Sequence, residues 1–225
     1  MKVSEFIERE LLDMIQNELT AGEKLPSEND LSNKYGVSRA SIREAIQSLE
    51  SKNVVVRRNG GTFVASSAED VFVVPLNVMI DLKFARPDEL SQVRILLETE
   101  AFRLAFERME EDDLKRLEDI VWMMQKPQLE LDKFFALDNE FHSLIAEASG
   151  NAVLCTFIKD IIKVISSLYV SEEGDEGETP AISDVGQNIH YYKEIVKGLN
   201  ERDKEKVITS AQKHLRECTG KIVHS

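Results

Sequence analysis

At 225 residues, with 42% apolar and 31% charged side chains, the chain is long enough for two ordinary domains and has a globular rather than a disordered composition. No run approaches the ~18 apolar residues of a membrane-crossing helix, the opening MKVSEFIERELLDMIQ lacks a signal-peptide apolar region, and Cys155 and Cys218 lack CxxC spacing. These features argue against a membrane partner and predict a cytoplasmic protein with two ordinary thiols.

The net charge of −13 is unevenly spread. Residues 1–67 carry 9 basic and 10 acidic side chains, which leaves 19 basic and 31 acidic for the remainder. Within 34–67, six basic residues (Lys34, Arg39, Arg43, Lys52, Arg57, Arg58) stand against Glu44 and Glu50. A small surface suited to phosphates thus sits on a chain that otherwise repels them.

In chain order, Ile7, Leu11, Met14 or Ile15, and Leu19 predict a helix over 4–20 that ends at Gly22. Leu25-Pro26-Ser27-Glu28 reads as a turn into a second helix, with Ser27 as cap and Asp30 at the reciprocal position. Tyr35-Gly36 closes that helix. Ser38 caps a third, whose apolar face is Ile42, Ala45, Ile46 and Leu49. Two helices joined by a tight glycine turn form a helix-turn-helix, and the opening turn of the third leaves Arg39, Ser41 and Arg43 outward. The β-rich runs 54–58 and 61–64 flank Asn59-Gly60, a strong hairpin signal. Arg57 and Arg58 near its tip can reach phosphates or a minor groove. Capped helix pairs and hairpins occur in many folds; their order and spacing, with arginines at the tips, point to a winged helix-turn-helix over residues 1–66.

Residues 66–70 read as a polar linker, and residues 71–225 as an all-α bundle of six or seven helices, so the fold class is mainly α. Helices are predicted at 87–107, 111–124, 130–149, 151–170, 182–199 and 203–221, with the acidic segment 171–180 a solvated loop. Asp138 and His142, four apart, share a helix face. His190 and His214 lie on the last two helices, and His224 falls in the tail. An Asp with one His from each of three helices suits zinc, nickel, iron or manganese; hydrogen-bonded core or surface histidines are the alternative.

LPSENDLSNKYGVSRASIREAIQSLESKNVVVRRNGGTFV resembles the winged helix-turn-helix of GntR-family transcription regulators. The resemblance implies contacts with operator DNA from Ser38, Arg39, Ser41 and Arg43, and from Gly60 and its wing neighbours. Asn29 stands where many members carry an arginine, and Asn59-Gly60 replaces a glycine-plus-basic pair; both bear on operator sequence. Val93-Arg94 through Leu97-Glu98, then DNEFH, NIHYY and KHL, resemble the ligand-binding (FCD-type) domain of the FadR subfamily. That likeness implies a metal, zinc or nickel by preference, on Asp138, His142, His190 and His214, with open positions for a small organic acid. VFVVPLNVMIDL resembles the extra first helix of the seven-helix version. Arg94 is implied to lie near the effector, although pairing with Glu98 is an equal alternative. The expected protein is a homodimeric, effector-controlled DNA-binding regulator, with repression the expected sign; a metal-dependent hydrolase and a ligand-independent DNA binder are the rival readings.

Overall fold

Three amphipathic helices and a hairpin make the first of two units, Met1–Ala68 and Glu69–Ser225. The computed structural model describes residues 2–65, 71–171 and 182–220. The expected linker at 66–70, nearly all of the acidic loop, the Cys218 side chain and His224 lie outside the described residues.

In the first unit, α1 (Val3–Glu18), α2 (Glu28–Tyr35) and α3 (Arg39–Ser51) precede β1 (Val55–Arg58) and β2 (Gly61–Val64). The Ser27 hydroxyl accepts the Asp30 N–H, and the Asp30 carboxylate accepts the Ser27 N–H in return, so two unpaired donors at the start of α2 are satisfied. Gly36 ends α2 with φ +64°, a conformation that costs a β-carbon-bearing residue about 1–2 kcal/mol. Ile7, Leu11 and Met14 of α1 meet Leu31 of α2, Ile46 and Leu49 of α3, and Val55 and Val64 of the hairpin in one core. One element departs from expectation. Residues 22–25, between the expected helix stop at Gly22 and the turn beginning at Leu25, lie alongside β2: Leu25 N–H donates to Thr62 O at 2.9 Å and Val64 N–H to Glu23 O at 2.8 Å. This pairing covers an otherwise open edge of the wing.

The second unit contains seven helices among the described residues: α4 (Val73–Asp81), α5 (Pro87–Arg108), α6 (Glu111–Met124), α7 (Leu131–Ala148), α8 (Ala152–Ser171), α9 (Ile182–Asn200) and α10 (Lys204–Gly220). The six from α5 onward begin and end within a residue or so of the positions read from periodicity and breakers. Helix α5 packs against α7, α8 and α10, while α9 packs on α10 and α6. Phe102, Leu117, Phe141, Ile158, Ile195 and Val207 fill the shared core, each burial contributing roughly 1.5–3 kcal/mol. Helix α4 buries none of its own residues. It is tied to α8 by Phe72 stacked on Phe157 at 4.0 Å and by the Asp160 carboxylate, which accepts the Phe72 N–H.

A β-carbon at Gly36 would meet nothing within 4 Å, so only backbone strain opposes substitution there. Gly36→Val is expected to cost the first unit about 1–2 kcal/mol or somewhat more, with Gly36→Asn recovering most of it. Denaturant unfolding of the full chain measures both.

Candidate nucleic-acid interface and metal centre

The opening turn of α3 presents Ser38, Arg39 and Arg43 to solvent, with Ser41 half-buried. The two serines build the helix start: Ser38 Oγ accepts the Ser41 N–H at 3.1 Å and lies 2.9 Å from Ser41 Oγ. Arg43 forms an ion pair with Glu28 at 3.0 Å, and Arg57 of the wing pairs with Glu50 at 3.3 Å. Arg39 and Arg58 form no ion pair among the described residues. Glu28 sits in a basic field; the Arg43 hydrogen bond, then the charges of Arg43, Arg57 and Arg39, hold its carboxyl below the usual range. Recognition-helix and wing arginines therefore share one face around Glu28, a residue that its position in the sequence does not single out. Gly60, at the exposed tip, adopts φ +104° with open space around it, and Asn29 is exposed beside Glu28.

In the second unit, three of the four expected ligands converge. Asp138 and His142 project from α7 and His214 from α10. His142 Nε2 lies 3.0 Å from His214 Nε2, and Asp138 Oδ1 lies 3.4 and 4.0 Å from these two nitrogens. The imidazoles are stacked, 5.1 Å between centroids, and are 1% exposed. Asp138 is the member that reaches outward, its side chain 18% exposed.

His190 is not brought in. It is exposed on α9 and neighbours the Tyr191 ring. Helix α9 buries Tyr192, Ile195, Val196 and Leu199, and two residues apart at about 100° each, His190 points nearly opposite Tyr192. Tyr192 occupies the place expected of the third histidine: its hydroxyl donates to Asp138 Oδ1, and its ring lies 4.5 Å from that of His214. The helical phase of Ile189, Tyr192, Ile195 and Leu199 was the available signal.

Glu98 is the other residue missed in its full role. It is 1% exposed, and one oxygen meets Arg94 while the other meets His142 Nδ1. Its spacing with Ala101, Phe102 and Ala105 places an acid inside an apolar stripe. Arg94 is thus engaged in the intrahelical pair that was the alternative to effector contact, although inside the bundle rather than on its surface.

The comparisons with known proteins bear on both units. The family described as "Bacterial regulatory proteins, gntR family" matches residues 3–64, and the "FCD domain" family matches residues 89–217. The transcriptional repressor NanR of Cronobacter sakazakii is 29% identical over 225 residues, covering 95% of this chain and 83% of that protein. The transcriptional regulator LutR of Bacillus subtilis is 32% identical over 159 residues, 70% of this chain and 71% of that one. The chain belongs to the GntR family. A solved structure described as Streptococcus agalactiae GntR superposes with a TM-score of 0.74 at 25% identity, covering 98% of this chain and 100% of that one. This GntR protein is therefore a transcription regulator with a DNA-binding head and an FCD ligand-binding domain, and the hydrolase reading falls, because the family and its relatives are regulators.

Electrostatics orders the buried cluster. Burial favours neutral imidazoles, but at His142 the Glu98 and Asp138 carboxylates outweigh it and raise the ring to about 9. At His214 burial prevails, reinforced by the positive His142, and the ring falls to about 3. Burial opposes ionisation of Glu98, yet Arg94 and His142 bring it down to about 2. Asp138 is likewise held ionised against its burial, first by His142. The two facing Nε2 atoms thus share one proton beside a carboxylate, the place where a cation would substitute.

The donor set fits a transition-metal ion. Ligand atoms bound at ~2.1 Å lie ~3.0–3.4 Å apart around one ion, which matches two of the three separations and leaves the third to close slightly. Glu98 on His142 Nδ1 is the outer carboxylate that orients a ligating imidazole.

Without metal, the folded value for His142, about 9, exceeds the ~6.5 of an unfolded histidine. Its stabilisation is complete below ~6.5 and lost as pH rises through the folded value. The melting temperature of chelator-treated protein is expected to fall between about pH 6.5 and about pH 9. A flat or rising profile over that window contradicts the protonated His142.

Proposed function

We propose that this GntR regulator, of the FadR type, is a homodimeric, cytoplasmic repressor whose hold on operator DNA is released by a small organic acid bound at a divalent metal in the FCD domain. The single observation that carries the effector half is the buried convergence of Asp138 Oδ1, His142 Nε2 and His214 Nε2. Three donors from α7 and α10 would hold the ion, zinc or nickel by preference, and leave open positions. When bound, such an ion supplies a Lewis-acidic centre to which carboxylate oxygens bind.

The chain's own residues do the rest. Glu98 fixes the His142 ring through Nδ1 and is itself fixed by Arg94. The positive charge of Arg94 also acts at Asp138, so an anionic occupant gains from it without breaking the Arg94–Glu98 pair. An effector that draws α7 and α10 together favours one arrangement of the FCD domain, and operator affinity shifts by the difference in its affinity for the two arrangements.

On the head, Arg39 is proposed to read a base edge from α3, with Arg43, Arg57, Arg58, Ser38, Ser41 and the Gly60 backbone contacting phosphates or bases. Two such heads would enter successive major grooves of a pseudo-palindromic site. NanR carries the word repressor in its name, and the proposed sign follows it.

On a duplex selected in vitro for tight binding, Arg39→Ala is expected to cost about 1–3 kcal/mol and relax sequence preference, whereas Arg58→Ala weakens all duplexes alike and lowers the salt slope by about 1. Fluorescence anisotropy measures both; equal behaviour of the two variants contradicts the division of roles. In the same assay a panel of mono-, di- and hydroxycarboxylic acids should release metal-loaded protein and leave chelator-treated protein bound. Failure of every acid to act on metal-loaded protein would favour the ligand-independent reading.

A further inference from the structure

Tyr192 is fully enclosed, and the function proposed above gives it no task. A core can be filled by apolar rings alone, whereas a buried phenol needs a polar partner. Its hydroxyl finds Asp138 Oδ1, the same oxygen that faces His142 Nε2 at 3.4 Å and His214 Nε2 at 4.0 Å. Its ring stands edge-on to His142, centroids 6.2 Å apart, and tilts against His214 at 4.5 Å. The phenol oxygen therefore lies against the carboxylate oxygen that faces both imidazole nitrogens, and it enters from α9, the helix whose histidine turns outward.

We propose that Tyr192 is the fourth protein donor of the metal site, which makes the set Asp138, His142, His214 and Tyr192. The proposal rests on the metal reading and deepens it. Two nitrogen and two oxygen donors replace three imidazoles and one carboxylate. On coordination the phenol releases its proton to solvent, as any acidic ligand does, and the site gains a negative, hard oxygen. Such a set favours a harder, more highly charged ion than three imidazoles would. This chain is expected to hold ferric iron well and to bind zinc or nickel less tightly than a third imidazole would allow.

The test uses full-length protein stripped by a chelator and titrated with ferric nitrilotriacetate, with bound iron and visible absorption measured together. Wild type is expected to take up one iron per chain and to show a phenolate-to-iron charge-transfer band. Tyr192→Phe, which keeps the core filled, should still bind iron through the other three donors, roughly tenfold more weakly, and lose the band. Tyr192→His should lack the band and bind zinc roughly tenfold tighter than wild type. Iron bound by wild type without the band, or a band that survives in Tyr192→Phe, overturns Tyr192 as a donor and leaves the metal reading standing. A wild type that takes up neither ferric iron, zinc nor nickel overturns both.

Discussion

Glu98 and Asp138 are carboxylates set into the apolar core of a helical bundle, one sealed and the other nearly so. Unpaired buried charge costs several kcal/mol per ion, and breaking one partner of a buried pair costs about 3–5 kcal/mol. The bundle meets this constraint with Arg94, a protonated His142 and the Tyr192 hydroxyl. These groups come from α5, α7 and α9, and His214 adds α10. Because partners on four helices must all be present, the register of those helices is set as much by the polar cluster as by the surrounding phenylalanines. A cluster of this kind contributes little net stability compared with apolar packing. Its value lies in holding imidazole nitrogens and a carboxylate oxygen at separations suited to an ion.

The same constraint ties stability to occupancy. Metal binding requires deprotonated ligands, and the proton shared between His142 and His214 is what an ion would displace. On the proposed reading, binding would change the charge state of this core, and α7 and α10, which carry Asp138, His142 and His214, would be the elements acted on first. Charge also shapes the head. Half of its key arginines are held by acids: Arg43 by Glu28 and Arg57 by Glu50. Such exposed pairs are weak and screened by salt, so phosphates can displace the carboxylates readily. Arg39 and Arg58, which have no such partner among the described residues, carry the undiluted positive field.

Much of this architecture was legible in the sequence because it rests on local signals. The caps Ser27 and Ser38, the stop at Gly36 and the turn at Asn59-Gly60 each act through neighbouring backbone, and the structure places the helices and hairpin where they point. Helix bounds in the second unit follow from periodicity in the same way. What was not legible depends on contacts distant in sequence. The strand-like pairing of residues 22–25 with β2 leaves no trace in the composition of that short segment. His190 reads as a ligand by residue type alone. The phase of α9 instead turns Tyr192 inward, and a tyrosine among apolar neighbours resembles ordinary core. Glu98 was visible only as the partner of Arg94, since the second oxygen's contact with His142 requires α5 and α7 to be side by side.

The central claim is that the buried cluster of the FCD domain is a metal centre. Metal content of the full-length protein, purified without chelator or added metal and measured by inductively coupled plasma mass spectrometry beside His214→Ala, tests it most directly. The account predicts close to one transition-metal ion per chain in the wild type and a large loss in a variant that remains folded. Equal metal content in both, or none in the wild type even after incubation with zinc, nickel, iron or manganese, would contradict it.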